Sequence, residues 1–368
     1  MAQYILIAGL PIYILNELHG GEMEAGIAMT FFQIGTVFCR PFAGGLIDSH
    51  HKQRLLFISL LIFFFIMVGF SFAFNEQMIY GLRLLHGIDF ALGTTTTATL
   101  AALVLPPEKK GTGIGYFALA TNLAMVVGPL FGVVLIRSLG SAYMFGFLAV
   151  IALLSLYLGN RKRLADDIVL PKDSGQKWSL KHVIEKGAVP AAILGGLTFF
   201  AYGGMLTFIP LFARSLGLEA DVSYFFLVFA LSIVVTRPLV GYAFDKFGPN
   251  ATVYPGLLIF AVGFRLFGTA YSEISLLLAA LVLGIGFGAA SPAFQTLAVQ
   301  SVAKEKAGAA TATYFWALDI SVGFAAFFLG QVAESYGYSF LYGIVSPIPP
   351  LVAIVIYALW RRSMKKRM

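Results

Sequence analysis

Long apolar runs, separated by short polar breaks, recur along almost the whole chain. A helix that crosses a bilayer needs roughly 20 mostly apolar residues, and the runs have about that length. They predict helices near residues 22–47, 55–74, 77–105, 112–137, 140–159, 188–213, 221–243, 252–271, 274–302, 308–331 and 337–360. The pattern therefore predicts an all-α integral membrane protein.

A twelfth apolar run comes first and is shorter, from Tyr4 to Leu15. The residues before it carry no positive charge, so the run does not have the pattern of a cleaved signal peptide. Pro11 follows only ten residues, whereas the matching Pro210 follows more than twenty residues of the predicted seventh helix. We interpret the run as a first helix truncated by roughly a dozen residues relative to a full span.

Composition agrees with a lipid environment. The 368 residues are 59% hydrophobic and 12% charged, with a mean hydropathy of +0.85, whereas soluble domains carry about 25% charged residues. The single Cys39 excludes an intramolecular disulfide and a multi-cysteine metal site. No Walker pattern, zinc-ligand spacing or catalytic triad occurs, so we expect no cofactor, no bound metal and no enzymatic activity.

The basic residues predict the orientation in the membrane. Alternate loops place 19 of the 25 Lys and Arg on one side and Arg137 and Arg214 on the other, and the remaining four, Arg40, Arg83, Arg237 and Arg265, lie within apolar runs. By the positive-inside rule the basic side, with both termini, is cytoplasmic. We expect a multi-pass protein of the plasma membrane. Because the basic residues lie at helix ends, the net charge of +7 does not indicate nucleic-acid binding.

The chain contains an internal repeat at an offset of 197 residues. This offset places Arg40-Pro41 over Arg237-Pro238, Asp48 over Asp245, and Gly87 over Gly284. We predict two six-helix halves, 1–160 and 187–368, related by a pseudo-two-fold axis and joined by a polar cytoplasmic linker, 161–186.

Three short patterns resemble the major facilitator superfamily, and within it the twelve-helix drug:proton antiporters. The family's loop signature Gly-x-Leu-Ala-Asp-Arg-x-Gly-Arg-Lys is similar to Gly44 to Asp48, followed by Lys52. Its fourth-helix pattern Arg-x-x-Gln-Gly is similar to Arg83 to Gly87. Its antiporter pattern Gly-Pro-x-x-Gly-Gly is similar to Gly128-Pro129-Leu130-Phe131-Gly132. The departures are Ser49, His51 and Gln53 in the first pattern, His86 in the second and Val133 in the third. The resemblance covers the whole chain and implies alternating access to a small molecule near the midplane.

Two duplicated triplets are candidates for a cytoplasmic gate. Arg40, Gly44 and Asp48 are spaced by four residues and share one helix face, and Arg237, Gly241 and Asp245 repeat the spacing. The glycines allow close helix approach, and the carboxylates can pair with a cation or a helix amino terminus in one conformation only. The alternative is that the arginines extend to the lipid headgroups while the acids solubilise a turn.

Arg83, His86 and Asp89 form the first candidate for proton coupling. They span roughly a 120° face of the fourth helix, with Asp89 near mid-membrane. Intramembrane charges are costly and commonly mark ion pathways. The resemblance carries over only Arg83; the role of Asp89 is inferred from its position. The alternatives are a structural ion pair at Asp89 and a core histidine at His86.

Asp319 is the second acid deep within an apolar run. The repeat places it over Asn122, shortly before the Gly128-Pro129 pair. We predict coupling or substrate binding here, with a titratable group at this repeat position in only one of the two halves. The alternative is an interface hydrogen bond.

Together these features predict a monomeric, proton-coupled secondary transporter that exports a drug-like compound or metabolite. Its partners are then a small-molecule substrate, protons and the lipid bilayer, without nucleic acid. A proton symporter or facilitator that imports a nutrient such as a sugar or organic acid would use the same helices. A non-transporting membrane scaffold or a membrane enzyme agrees less well with two intramembrane acids and a duplicated gate.

Overall fold

The computed structural model describes residues 1–161, 184–218 and 221–365. Within these ranges the chain forms twelve helices of 15 or more residues: α1 (Ala2–Asn16), α2 (Glu22–Ser49), α3 (Lys52–Phe70), α4 (Glu76–Val104), α5 (Lys110–Ser138), α6 (Ser141–Arg161), α7 (Val189–Ser215), α8 (Val222–Phe247), α9 (Asn250–Gly268), α10 (Glu273–Gln300), α11 (Ala307–Tyr336) and α12 (Ile348–Lys365). The prediction of an all-α fold is confirmed. Most of the predicted linker 161–186 lies outside the described residues, as do the last three residues of the basic tail.

Most of these helices can cross a bilayer. Ten helical segments of the described chain are long and apolar enough by length and composition, and α1 is a shorter apolar helix. Backbone N–H and C=O groups have no partner in hydrocarbon other than each other, which is why apolar runs of this length become helices. Glycine ends one of these helices at a tight turn. Gly248 has a φ of +81°, a conformation that costs a residue without Cβ little, and α8 ends just before it.

The helices form two compact units. The first contains Met1–Val104, Ala120–Glu185 and Ala303–Thr313; the second contains Leu105–Leu119, Lys186–Val302 and Tyr314–Met368. The start of α5 therefore packs in the second unit, and the start of α11 packs in the first. These two exchanged helix starts carry the candidate site described below.

In the first unit, α1 is buried although it has only 15 residues. Ile5, Leu6 and Leu10 are fully buried, and the Tyr13 hydroxyl donates a hydrogen bond of 2.6 Å to the Ala73 carbonyl. The Tyr13 ring also meets Phe145 edge-on, with centroids 5.0 Å apart. The short helix is thus held by neighbouring helices rather than by its own length.

The core of the second unit is rich in aromatic side chains from α7, α8, α9 and α10. Tyr202 stacks on Phe287 at 4.4 Å between centroids, and Phe229 and Phe260 lie within 6 Å of the same Phe287 ring. Offset aromatic packing of this kind adds to the stabilisation from burial. A π-helical segment, Leu341–Val345, precedes α12 and places Tyr342 against Phe267.

Candidate functional site

The carboxylate of Asp245 caps the first turn of α5. Asp245 lies in the last turn of α8, and its two oxygens accept hydrogen bonds from the backbone N–H groups of Gly111 (2.7 Å) and Thr112 (2.9 Å). The first N–H groups of a helix have no partner within the helix, and the helix dipole favours a negative charge there. Asp245 supplies both the acceptors and the charge.

Asp48 makes the same contact in the other unit. Its carboxylate accepts hydrogen bonds from the N–H groups of Gly308 (2.7 Å) and Ala309 (2.8 Å), in the first turn of α11. Asp48 and Asp245 are repeat partners, and so are the capped positions, since Gly308 and Ala309 lie 197 residues after Gly111 and Thr112. Each carboxylate of one sequence half therefore binds a helix start of the other half.

The glycine one turn before each carboxylate allows this approach. A Cβ added at Gly44 would lie 2.7 Å from the Cα of Ala309, and one added at Gly241 would lie 2.7 Å from the Cα of Thr112. Such distances are too short for real Cβ atoms, so a larger side chain would separate the helices. At both sites the glycine therefore permits the close helix approach, and the carboxylate binds the helix start.

The two arginines of the triplets are buried and differ in their partners. Arg40 is 2% exposed and donates from Nη1 to the hydroxyls of Thr94 (3.2 Å) and Thr95 (3.3 Å) of α4. Arg237 is 3% exposed and lines a small pocket in the second unit. Neither guanidinium group extends to an exposed helix end.

Arg83 and His86 are buried next to each other in the first unit. Arg83 donates from Nη1 to the Gln3 side-chain oxygen (3.0 Å), its Nη1 lies 3.5 Å from Nδ1 of His86, and its guanidinium group is 4.6 Å from the centre of the Phe32 ring. The His86 ring is flanked by Phe32 and Phe63. The partners of Arg83 are therefore neutral groups, mainly of α1 and α2.

Asp89 is buried one turn further along α4 and bonds to a different neighbour. The Ser59 hydroxyl of α3 donates to its carboxylate at 2.9 Å. The predicted cluster is thus divided: Arg83 and His86 are adjacent, whereas Asp89 faces Ser59. A buried acid bonded to one neutral hydroxyl is a group whose charge the surroundings stabilise weakly.

Asp319 and Asn122 occupy the middle parts of α11 and α5. Asp319 is partly exposed and belongs to the second unit, and Asn122 belongs to the first. Their equivalence in the repeat agrees with their places on corresponding helices. Their proposed roles remain predictions.

The residues of the antiporter-type pattern pack α5 against α1. A Cβ added at Gly132 would lie 2.5 Å from the Ile5 carbonyl oxygen, and one added at Gly128 would collide with Tyr4. Pro129 lies between these contacts, inside α5, where it removes one helical hydrogen bond. The pattern therefore shapes the first unit where α1 lies on α5.

Several partners in these contacts were not predicted from the sequence. Ser59, Thr94 and Thr95 are ordinary polar residues within apolar helices, and backbone N–H groups of α5 and α11 have no sequence signature of their own. The offset of 197 residues is the one signal that could have related the capped positions to each other. Among the described residues, no group of three or more His, Cys, Asp or Glu side chains could hold a metal ion.

Comparison with known proteins agrees with this architecture. The family model of the Major Facilitator Superfamily matches residues 1–326, and the chain therefore belongs to this family of membrane transporters. The family resemblance predicted from the sequence is confirmed.

Individual relatives share 24–27% sequence identity with the chain. The chain is 27% identical over 310 residues to the multi-drug resistance efflux pump PmrA homolog of Lactococcus lactis, covering 80% of this chain and 76% of that protein. It is 25% identical to multidrug resistance protein 1 of Bacillus subtilis, covering 77% and 74%, and 24% identical to the uncharacterized MFS-type transporter YhhS of Escherichia coli, covering 98% and 88%.

A solved structure shares the fold. The crystal structure of the human organic anion transporter MFSD10 (TETRAN) superimposes with a TM-score of 0.77, over 96% of this chain and 95% of that one, at 14% identity. The predicted major-facilitator-type fold is confirmed.

Proposed function

We propose that this transporter exports a small molecule from the cytoplasm in exchange for protons, by alternating access. The observation that carries the proposal is the pair of carboxylate caps, at Asp48 and Asp245. Each cap joins helices from opposite sequence halves through two hydrogen bonds and a charge–dipole attraction, which can break and re-form within a transport cycle.

The position of the caps supports a gate at the cytoplasmic side. Both lie at the ends of helices whose adjoining loops carry the excess of Lys and Arg, for example Lys52 and Lys109. The positive-inside rule places that side in the cytoplasm. Breaking the caps would separate α2 from α11 and α8 from α5, and so open a path from the cytoplasm.

Asp89 and Asp319 are the proposed proton carriers. Asp89 is buried with a neutral hydroxyl as its partner, and Asp319 is partly exposed in mid-helix. A carboxyl group at such a place favours the neutral form while it is shielded from water, because an intramembrane charge is costly, and it can ionise in a conformation that opens a water-filled cavity to it. His86 lies one turn and Arg83 nearly two turns from Asp89 along α4, and we propose that both influence the exchange.

Export is favoured over import by the resemblance to antiporters and by the relatives. Two of them are named as multidrug efflux or resistance proteins, at 25–27% identity. We therefore propose a drug-like compound or metabolite as substrate, and the plasma membrane as location.

Transport in inverted vesicles tests this proposal. With a proton gradient imposed, addition of a transported dye such as ethidium should dissipate part of the gradient, measured with a pH-sensitive fluorophore. Asp89→Asn and Asp319→Asn should abolish the response, because an amide cannot exchange a proton. Glu334→Gln, which changes an exposed carboxylate at the end of α11, is the matched control and should respond like the wild type.

Unchanged coupling in both aspartate variants would overturn the assignment of the proton carriers. Accumulation of a sugar or organic acid by intact cells, instead of dye export, would favour import of a nutrient.

A further inference from the structure

The hydroxyl group of Ser59 bonds between two helices. Many Ser and Thr side chains in the helices of this chain donate to the carbonyl four residues earlier in their own helix, as Ser155 does to Ile151 at 2.8 Å. Ser59 of α3 instead donates to the carboxylate of Asp89 in α4 at 2.9 Å. Both residues are buried, with Ser59 1% and Asp89 6% exposed. The hydroxyl is therefore a partner of the acid and not of its own helix backbone.

Gly93 leaves the space in which this bond forms. It lies one turn after Asp89 on α4, and a Cβ added there would lie 2.6 Å from Oγ of Ser59. That distance is too short for a real Cβ, and a serine hydroxyl can rotate into another staggered position. A larger residue at position 93 would therefore turn the hydroxyl away from Asp89.

The second half of the chain packs the equivalent helices without this pair. The offset of 197 residues places Gly256 over Ser59, Gly286 over Asp89 and Ala290 over Gly93. In α9 and α10 the backbones are close, since a Cβ added at Gly256 would lie 3.0 Å from the backbone N of Ala290. Packing of this helix pair thus needs neither an acid nor a hydroxyl, and attachment of α3 to α4 does not by itself account for them.

The other ionisable side chains near Asp89 have different partners. Away from the first and last turns, those of α2, α3 and α4 are Cys39, Arg40, Tyr80, Arg83 and His86. Cys39 interacts electrostatically with Asp89, whereas Arg40 donates to threonines of α4. Arg83 donates to Gln3. In the part of the chain that the structure describes, Ser59 is the group that donates a hydrogen bond to Asp89.

A donated hydrogen bond changes the balance between the two forms of a buried carboxyl group. Burial favours the neutral form, because a charge within the membrane is costly. A hydrogen bond to the anion opposes this effect, and bonds to a charged group are stronger than those between neutral groups. The hydroxyl of Ser59 therefore influences how readily Asp89 gives up its proton.

We propose that Ser59 is a positioning residue that sets the pH range in which Asp89 releases and takes up its proton, while Gly93 makes room for the hydroxyl. The inference rests on the proposed function for the role of this proton in transport. The pair of acid and hydroxyl can nevertheless be tested with no substrate present.

Infrared spectroscopy of the purified full-length protein in liposomes follows Asp89 directly. The C=O stretching band of a protonated carboxyl group disappears when the group ionises, and the band that Asp89→Asn removes belongs to Asp89. A pH titration of this band gives its midpoint. Ser59→Ala should move the midpoint by about one pH unit to higher pH, because the anion loses its hydrogen bond.

Two further variants locate the effect. Gly93→Ala keeps Ser59 but places a methyl group where its hydroxyl lies, and should move the midpoint in the same direction. Ser155→Ala is the matched control: it removes a partly buried hydroxyl that bonds within α6, and should keep the wild-type midpoint. A bond that only fastened α3 to α4 would lower the Tm of Ser59→Ala and leave the midpoint unchanged.

The proposal stands if Ser59→Ala raises the midpoint and Ser155→Ala does not. It is overturned if Ser59→Ala titrates like the wild type, or if the wild-type band does not titrate while the protein stays folded. A shift in Ser59→Ala without one in Gly93→Ala would keep the role of Ser59 and remove that of Gly93. Should Ser59→Ala fail to fold, Gly93→Ala decides by the same criterion.

Failure of the proposed function would look different. Asp89 would then titrate and respond to Ser59→Ala, but Asp89→Asn would leave the dye-dependent dissipation of the proton gradient unchanged.

Discussion

At the scale of single residues, Asp48 and Asp245 combine two roles. Each carboxylate neutralises the partial charge of a helix start, and each accepts two backbone hydrogen bonds of 2.7–2.9 Å. Both oxygens of each group are used, so neither an amide nor a longer acid can reproduce the contact. The strength of such a contact is modest, which suits an interaction that must also break.

Asp48→Asn and Asp245→Asn should each lower the free energy of unfolding by about 0.5–2 kcal/mol, because an amide keeps one acceptor and loses the charge. Thermal or denaturant unfolding of the purified variants measures the change. Asp221→Asn is the matched control: Asp221 precedes α8 and makes no side-chain capping bond, so its change should be smaller. Equal losses of unfolding free energy at all three positions would show that the hydrogen bonds of Asp48 and Asp245 to the helix starts do not stabilise the protein.

At the scale of helices, two repeat-related glycines, Gly87 and Gly284, allow close contact between helix backbones. A Cβ added at Gly87 of α4 would collide with the Phe32 carbonyl oxygen of α2, and the Thr36 hydroxyl donates to the Gly87 carbonyl at 3.2 Å. In the second unit, a Cβ added at Gly284 of α10 would lie 2.5 Å from the Phe229 carbonyl oxygen of α8. Small residues let helix backbones approach in this way within membranes.

Gly87→Ala and Gly284→Ala should therefore each destabilise the protein by about 1–3 kcal/mol, the usual cost of overpacking. The comparison is Gly81→Ala in the same helix as Gly87, where nothing lies within 4 Å and alanine's higher helix propensity should leave stability unchanged or slightly increased. Denaturation of the three purified variants provides the measurement. A Gly87→Ala protein as stable as Gly81→Ala would contradict the close α2–α4 contact.

At the scale of the whole molecule, the charge distribution predicts the orientation. Lys52, where α2 is joined to α3, is one of the 19 basic residues of the predicted cytoplasmic side. The next connection, around Ser71 between α3 and α4, carries no basic residue. Successive connections of membrane-spanning helices lie on opposite sides of the bilayer.

Cysteine labelling tests this orientation. In a Cys39→Ser background, Ser71→Cys should react with a membrane-impermeant maleimide on intact cells, and His50→Cys only after permeabilisation, since both positions are exposed but lie on opposite predicted sides. A cysteine-free Cys39→Ser protein should not react under either condition. The reverse labelling pattern would invert the predicted topology.

The helices and the family were predictable because their signals are local. Runs of about 20 apolar residues need no tertiary information, and the ends of α2, α4 and α10 lie within a few residues of the predicted ends. The short α1 also agrees with the short first apolar run of the sequence. The division into halves at 161–186 and the proton carriers stay predictions, since the first falls largely outside the described residues and the second concerns transport.

By itself, the sequence determined that the chain is a helical membrane protein with an internal repeat of 197 residues, because apolar length and the repeat are properties of the chain alone. It also predicted that Asp48, Asp245, Arg40 and Arg237 belong to a cytoplasmic gate. Only the tertiary structure decided their partners: the N–H groups of α11 and α5, the hydroxyls around Arg40, and the small pocket at Arg237. The physical reason is that a hydrogen-bond partner far along the chain is selected by helix packing, and backbone donors look alike in every sequence.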